Sequence, residues 1–175
     1  MNADLAADRT LFDFSTATIE QGWQVVNDEV MGGVSVSSFS VTNGVGVFRG
    51  QVSLENNGGF ASVRSLPAHY NLGGCDVFLI RVRGDGHRYK FTVRTETNFD
   101  SVVYQTVFPT KKGEWEEHRL STQHFVPTFR GRVLLGEPPL EPAEVASVGF
   151  LISEKQEGPF QLELAWIKAS PRAGR

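Results

Sequence analysis

The stretch Phe78-Leu79-Ile80-Arg81-Val82-Arg83-Gly84-Asp85-Gly86-His87-Arg88-Tyr89-Lys90-Phe91-Thr92-Val93-Arg94 sets the class of fold. On either side of Asp85-Gly86, large apolar residues occupy every second position, the period at which the side chains of a strand alternate between faces. Asp-Gly suits a two-residue type I′ turn, which needs positive φ at both positions. The expected hairpin pairs Val82 with Tyr89, Ile80 with Phe91 and Phe78 with Val93, six apolar residues on one face. Its other face then carries Arg81, Arg83, Arg88, Lys90 and Arg94.

The same period recurs outward from this stretch. Strands are expected at Leu11 to Phe14, through Phe48, Val52 and Leu54, and at Ser101 to Phe108. Others follow at Trp115 to Leu120, Val145 to Ile152 and Phe160 to Lys168. Between Val34 and Val41 the apolar phase changes, since Val34 and Val36 oppose Phe39 and Val41, and a bulge is the expected cause. Ser121 to Arg132 and Gly136 to Pro142 read as long loops, with a short helical turn near Glu141 to Val145. No long amphipathic helix interrupts the pattern. The 13 Phe favour strands and the 18 Gly supply turns. Many short strands in 175 residues imply an all-β chain of two packed antiparallel sheets, a jelly-roll sandwich. A single domain over residues 11–169 is expected, with 1–10 and 170–175 as flexible termini.

Composition narrows the function classes. A net charge of −3 argues against nucleic acid as the main partner. The single cysteine, Cys75, excludes an intramolecular disulfide and fits a reducing compartment. No run approaches the ~20 apolar residues of a transmembrane segment, and Met1 to Thr10 lack the pattern of a signal peptide. A cytoplasmic location is expected. His69, His87, His118 and His124 form no metal-ligand spacing, so neither a metal nor a cofactor is expected. Gly33-Val34-Ser35-Val36-Ser37 falls short of a nucleophile elbow, lacking both the last glycine and a following helix.

Two polar, glycine-bearing runs stand out: Trp23 to Ser35, and Glu55-Asn56-Asn57-Gly58-Gly59-Phe60-Ala61-Ser62-Val63-Arg64. Trp23, Asn27, Asp28, Glu55, Asn56, Asn57 and Arg64 are the candidate side chains of a polar loop site. Asp28 and Glu55 also form a candidate glycosidase pair, which requires carboxylates ~5–9 Å apart across a cleft. A sugar-binding reading needs exposed aromatic platforms, for which Tyr104, Trp115, Phe125 and Phe129 are the candidates. The five cations of the hairpin are either a docking face for a protein partner or a solvated face answered by Glu96, Glu114, Glu116 and Glu117.

The Asn-Asp-x-Val-Met-Gly-Gly-x-Ser run within Trp23 to Ser35, followed by Asn56 to Arg64, resembles the two hallmarks of the complex I intermediate-associated protein family. Trp115, Phe125 and Phe129-Arg130-Gly131 extend the resemblance, which covers Leu11 to Lys168. It implies a galactose-binding-like jelly roll of the kind shared with carbohydrate-binding modules. It also implies a non-catalytic role. Mitochondrial relatives help assemble NADH:ubiquinone oxidoreductase without remaining in it, and plastid relatives carry a nucleotide-binding domain and act in photosystem biogenesis. This chain is expected to be a stand-alone bacterial member. Its expected partners are subunits or assembly intermediates of a redox complex, with carbohydrate as the alternative ligand.

Overall fold

A computed structural model describes residues 7–16, 22–98 and 100–171. Thirteen strands run through the described residues: β1 (Arg9–Asp13), β2 (Trp23–Asn27), β3 (Val36–Thr42), β4 (Val45–Val52), β5 (Ala61–Ser65), β6 (Cys75–Arg83), β7 (Arg88–Arg94), β8 (Val103–Pro109), β9 (Trp115–Ser121), β10 (Val126–Phe129), β11 (Arg132–Val133), β12 (Ser147–Ile152) and β13 (Gly158–Pro171). They form two antiparallel sheets in jelly-roll arrangement. The first has the order β3-β4-β13-β6-β9, with β1 added on β13, and the second has β11-β10-β8-β7-β12-β5-β2.

β13 organises the first sheet because it is long enough to serve three neighbours. Its first half pairs with β4, its second half with β1, and β6 lies along its other side. A register shift between Leu164 and Trp166 divides the halves. Extra residues of this kind increase local twist, which lets one strand curve around a core. Alternation then buries one face of each sheet. Ile80, Val82, Leu162, Leu164 and Ile167 come from the first sheet, and Tyr89, Phe91, Val93, Phe150 and Ile152 from the second; all have 0% exposure. Each such side chain stabilises the fold by about 1.5–3 kcal/mol relative to exposure. Rings interlock the layers: Phe78 and Phe91 have centroids 5.2 Å apart, and Tyr89 and Phe160 6.4 Å.

The hairpin is the principal correction. β6 bonds only to β13 and β9, and β7 only to β8 and β12. Asp85-Gly86 instead carries the chain from one sheet to the other. Of the two residues only Gly86 has positive φ, at 95°, so the type I′ turn does not form. The Asp85 carboxylate fixes this corner by accepting hydrogen bonds from the His87 amide (3.1 Å), the Tyr89 hydroxyl (3.0 Å) and the Gln161 amide (2.7 Å). Alternation specifies which face of a strand is apolar but not whether its successor lies beside it or opposite it. Here Phe78, Ile80 and Val82 meet the β7 residues across the core rather than beside them.

Smaller differences have similar causes. β3 pairs with β4 without a register shift from Val36–Gln51 to Thr42–Val45, so no bulge is present. Val34 and Val36 are simply apolar residues pointing outward, 47% and 60% exposed. Trp23–Asn27 and Ala61–Ser65, read from the sequence as parts of loops, are the adjacent strands β2 and β5, in register from Trp23–Ser65 to Asn27–Ala61. The supposed loop after Ser121 contains β10, and the turn expected near Glu141 is a single 3₁₀ turn over Pro142–Glu144.

Candidate functional site

Pairing β2 with β5 brings the two hallmark runs together at one end of the second sheet. Asp28 leaves β2 into a 3₁₀ turn, Asp28–Met31, and is wholly buried. Its carboxylate accepts four hydrogen bonds: from the Ser35 amide (2.9 Å), the Ser35 hydroxyl (2.5 Å), the Gly59 amide (2.8 Å) and the Phe60 amide (3.3 Å). Burial pushes this carboxyl up, yet the donors from Ser35, Gly59 and Phe60 together outweigh burial and hold it below its ordinary value. Two glycines make the approach possible. A Cβ on Gly33 or on Gly58 would stand 2.5 Å from an Asp28 oxygen.

The neighbouring candidates share this inward orientation. Trp23 is in the core, with ring centroids 4.9 Å from Phe12 and 5.2 Å from Phe39. Asn27 is buried and accepts from the Ser37 hydroxyl at 2.6 Å. Asn56 is exposed and donates from Nδ2 to the Gly32 carbonyl at 3.1 Å, closing one hallmark run onto the other. Glu55 and Asn57 lie exposed in the 3₁₀ turn Glu55–Asn57. With no accessible surface on Asp28, the Asp28–Glu55 pair does not form the open cleft that glycoside cleavage requires.

The five cations expected on one face are divided between two. Arg81 and Arg83 lie on the outside of the first sheet, stacked over Trp115 at 5.5 and 5.0 Å. Arg81 meets Glu117 at 3.5 Å, and Arg83 is bound bidentately by Glu163. Arg88, Lys90 and Arg94 belong to β7, in the second sheet, where Arg88 meets Glu154 at 3.1 Å. Of the acids expected to answer these cations, only Glu117 does so directly among the described residues. Glu163 was missed because the hairpin register hid the pairing of β13 with β6, and Glu154 because it stands in the turn after β12.

The structure does unite two candidates that the sequence assigned to separate sites. Arg64 of β5 and Arg94 of β7 line one cleft on the outer face of the second sheet, with a volume of 180 Å³. Gln24, Glu96, Asn98 and Ser147 are among the other residues of its walls. The four aromatic platform candidates, in contrast, are dispersed. Tyr104 and Phe125 are buried, the former donating its hydroxyl to the Pro138 carbonyl at 2.8 Å. Trp115 lies under the two arginines, and Phe129 under Arg130 at 5.2 Å. No described helix is long and apolar enough to cross a membrane.

Comparison with known proteins agrees with this architecture. The family model described as Complex I intermediate-associated protein 30 (CIA30) matches residues 12–164. The protein named Complex I intermediate-associated protein 30, mitochondrial, from Drosophila melanogaster is 26% identical, over 90% of this chain and 61% of the relative. Its Mus musculus namesake is 27% identical, over 91% of this chain and 55% of the relative. The chain thus spans somewhat over half the length of these curated relatives. Among solved structures, a family 11 carbohydrate-binding module from Clostridium thermocellum, in complex with a β-1,3-1,4-mixed-linked tetrasaccharide, superposes with a TM-score of 0.71. That match covers 97% of this chain and 99% of the module at 10% identity, a likeness of fold.

Proposed function

The chain belongs to the complex I intermediate-associated protein 30 (CIA30) family, and from that premise we propose that it is a non-catalytic binding module that assists assembly of a multisubunit redox complex, with a complex I-like client. The observation that carries this reading is the extent of the match, residues 12–164, which takes in both hallmark runs and most of both sheets. The chemistry of the hallmarks supports it. Asp28, Ser35 and Asn56 spend their hydrogen bonds tying the two hallmark runs together, and Asn27 accepts from Ser37 of β3, an arrangement that holds a surface in shape and leaves no activated nucleophile or acid–base pair among these residues. In this reading the client docks on an outer sheet face, through Arg81 and Arg83 on one side of the sandwich or Arg88 and Lys90 on the other.

The test is affinity capture of the tagged full chain from its own cell extract under gentle crosslinking, read by mass spectrometry. Enrichment of NADH:ubiquinone oxidoreductase subunits is expected. It should fall with R81E/R83E or with R88E/K90E, and whichever pair matters identifies the docking face. A blank for redox-complex subunits in both the free and crosslinked samples overturns the assembly reading. A glycan array that responds in place of the capture would transfer the proposal to carbohydrate.

A further inference from the structure

The cleft between β5 and β7 is built differently from the rest of the surface. Arg64 and Arg94 stand on the two strands that flank β12, where Arg64 is opposite Gly149 and Arg94 opposite Ser147. The intervening strand contributes the small Ser147 to the cleft between two guanidinium-bearing side chains. Gly149 cannot be filled without disturbance, because a Cβ there would run into the Val63 carbonyl and stand 3.0 Å from Thr92 Oγ1. Strands two apart are about 10 Å from each other, a gap that two arginine side chains can close over one small group. Two like charges in a half-buried cleft carry a penalty, and although Glu96 lines the same cleft and Asp100 acts on Arg64, both guanidiniums remain pushed down.

Arg94 bears that penalty most clearly. Its Nε is buried and has no hydrogen-bond partner among the described residues. Burial first, and then the neighbouring Arg64, push its guanidinium down to about 10, so it remains charged at neutral pH against opposition. Arg64 is pushed down by burial and partly relieved by Asp100, whose own carboxylate is engaged by Arg130 at 2.5 Å.

We propose that this cleft is a carboxylate-binding site, in which Arg64 and Arg94 clamp the oxygens of a single carboxylate group carried by a small organic acid or by an acidic side chain of a polypeptide. The guanidinium fork matches a planar carboxylate with two parallel hydrogen bonds. The amides of Gln24 and Asn98 and the hydroxyl of Ser147 are placed on the walls to serve the remaining lone pairs. A volume of 180 Å³ takes a carboxylate with a few carbons and is too small for a nucleotide or an oligosaccharide. Glu96, also on the wall, repels a multiply charged anion more than a monoanion. The proposal does not depend on the assembly role, since it is read on the purified protein alone.

The experiment titrates the nitrogen-15-labelled protein with propionate, with a blocked peptide carrying one Glu among neutral residues, and with inorganic phosphate, following the Nε–H resonances of Arg64 and Arg94. Calorimetry supplies the affinities. Saturable shifts of both resonances with a carboxylate ligand are expected. R64Q and R94Q should each weaken binding by about tenfold or more, the loss typical of one charge-assisted pair, whereas R49Q on the opposite sheet should not. Tighter binding of the peptide assigns the site to a polypeptide partner, and tighter binding of propionate assigns it to a small acid. Shifts that never saturate, a preference for phosphate over both carboxylates, or unchanged affinity in R64Q overturns the proposal. Should R94Q fail to fold, the wild-type resonances together with R64Q decide the matter.

Discussion

Asp28 and Arg94 are both charges withdrawn from water, both at the end of a strand in the second sheet, and they are treated in opposite ways. Around Asp28 the chain supplies four donors from two distant segments, and two glycines remove every atom that would stand in their way. Around Arg94 the chain supplies a second arginine and, among the described residues, leaves its buried Nε without an acceptor. A fully satisfied buried charge serves the fold, while an unsatisfied one is tolerated where something outside the chain completes it. Hydrogen-bond accounting thus separates two sets of residues that look equally polar in the sequence.

The sharpest way to break this contrast is Asp28→Ala. Removing the acceptor strands the amides of Ser35 and Gly59 in a buried site, at about 1–3 kcal/mol each, while the Ser35 hydroxyl keeps the Ser53 carbonyl at 3.2 Å. An expected loss of about 3–5 kcal/mol, measured by urea unfolding at neutral pH, is a large share of the ~5–15 kcal/mol that holds a typical domain together. The pH dependence carries the same signature. Because the folded carboxyl lies below its unfolded value, the unfolded chain binds the extra proton in the interval between them. The stability supplied by Asp28 is complete above about pH 4 and fades as pH falls through the folded value. Asp28→Asn should flatten that acid limb, and an unchanged limb would show that the ionised carboxylate is not what the four donors hold.

Gly33→Ala and Gly58→Ala come next, at about 1–3 kcal/mol each, the usual cost of forcing an extra methyl into a packed site. The informative measurement is the double-mutant cycle. In an Asp28→Ala background the carboxylate that a Cβ on Gly58 would strike is gone, so most of the cost of Gly58→Ala should vanish, whereas Gly33→Ala still meets the residue-28 Cβ at 2.8 Å. Additive losses at Gly58 would mean that backbone geometry, rather than approach to Asp28, demands this glycine.

The contrast also explains what was legible in the sequence. Strand content and the sandwich followed from alternation, since period two fixes which side chains face a core. The Asp85-Gly86 corner did not, because six apolar residues in phase describe a hairpin face and two facing strands equally well. That one ambiguity misplaced the five cations together. Asp28 was legible as important, through the glycines and hydrogen-bonding residues clustered around it, but not as buried. A polar side chain that binds a ligand and one that binds its own backbone have the same composition. The Arg64–Arg94 cleft was least visible. It depends on β5, β12 and β7 lying side by side, and in sequence these strands are separated by tens of residues and out of order.

Arg94→Met gives the smallest effect and the most discriminating one, because its expected sign is opposite to that at Asp28. Methionine keeps the reach of the side chain along the sheet while discarding a charge that burial and Arg64 both oppose. Replacing a poorly compensated buried charge by an apolar group of similar size is commonly neutral or stabilising. A gain of about 1 kcal/mol is therefore expected in urea unfolding without carboxylate ligands. The same variant should lose the stabilisation that such a ligand gives the wild type through preferential binding to the folded state. A stability deficit in the absence of ligand would show that Arg94 already has a partner within the chain, and the difference drawn between the two charges would disappear. A gain coupled to loss of the ligand effect would mean that the fold keeps this arginine at its own expense, for what it holds.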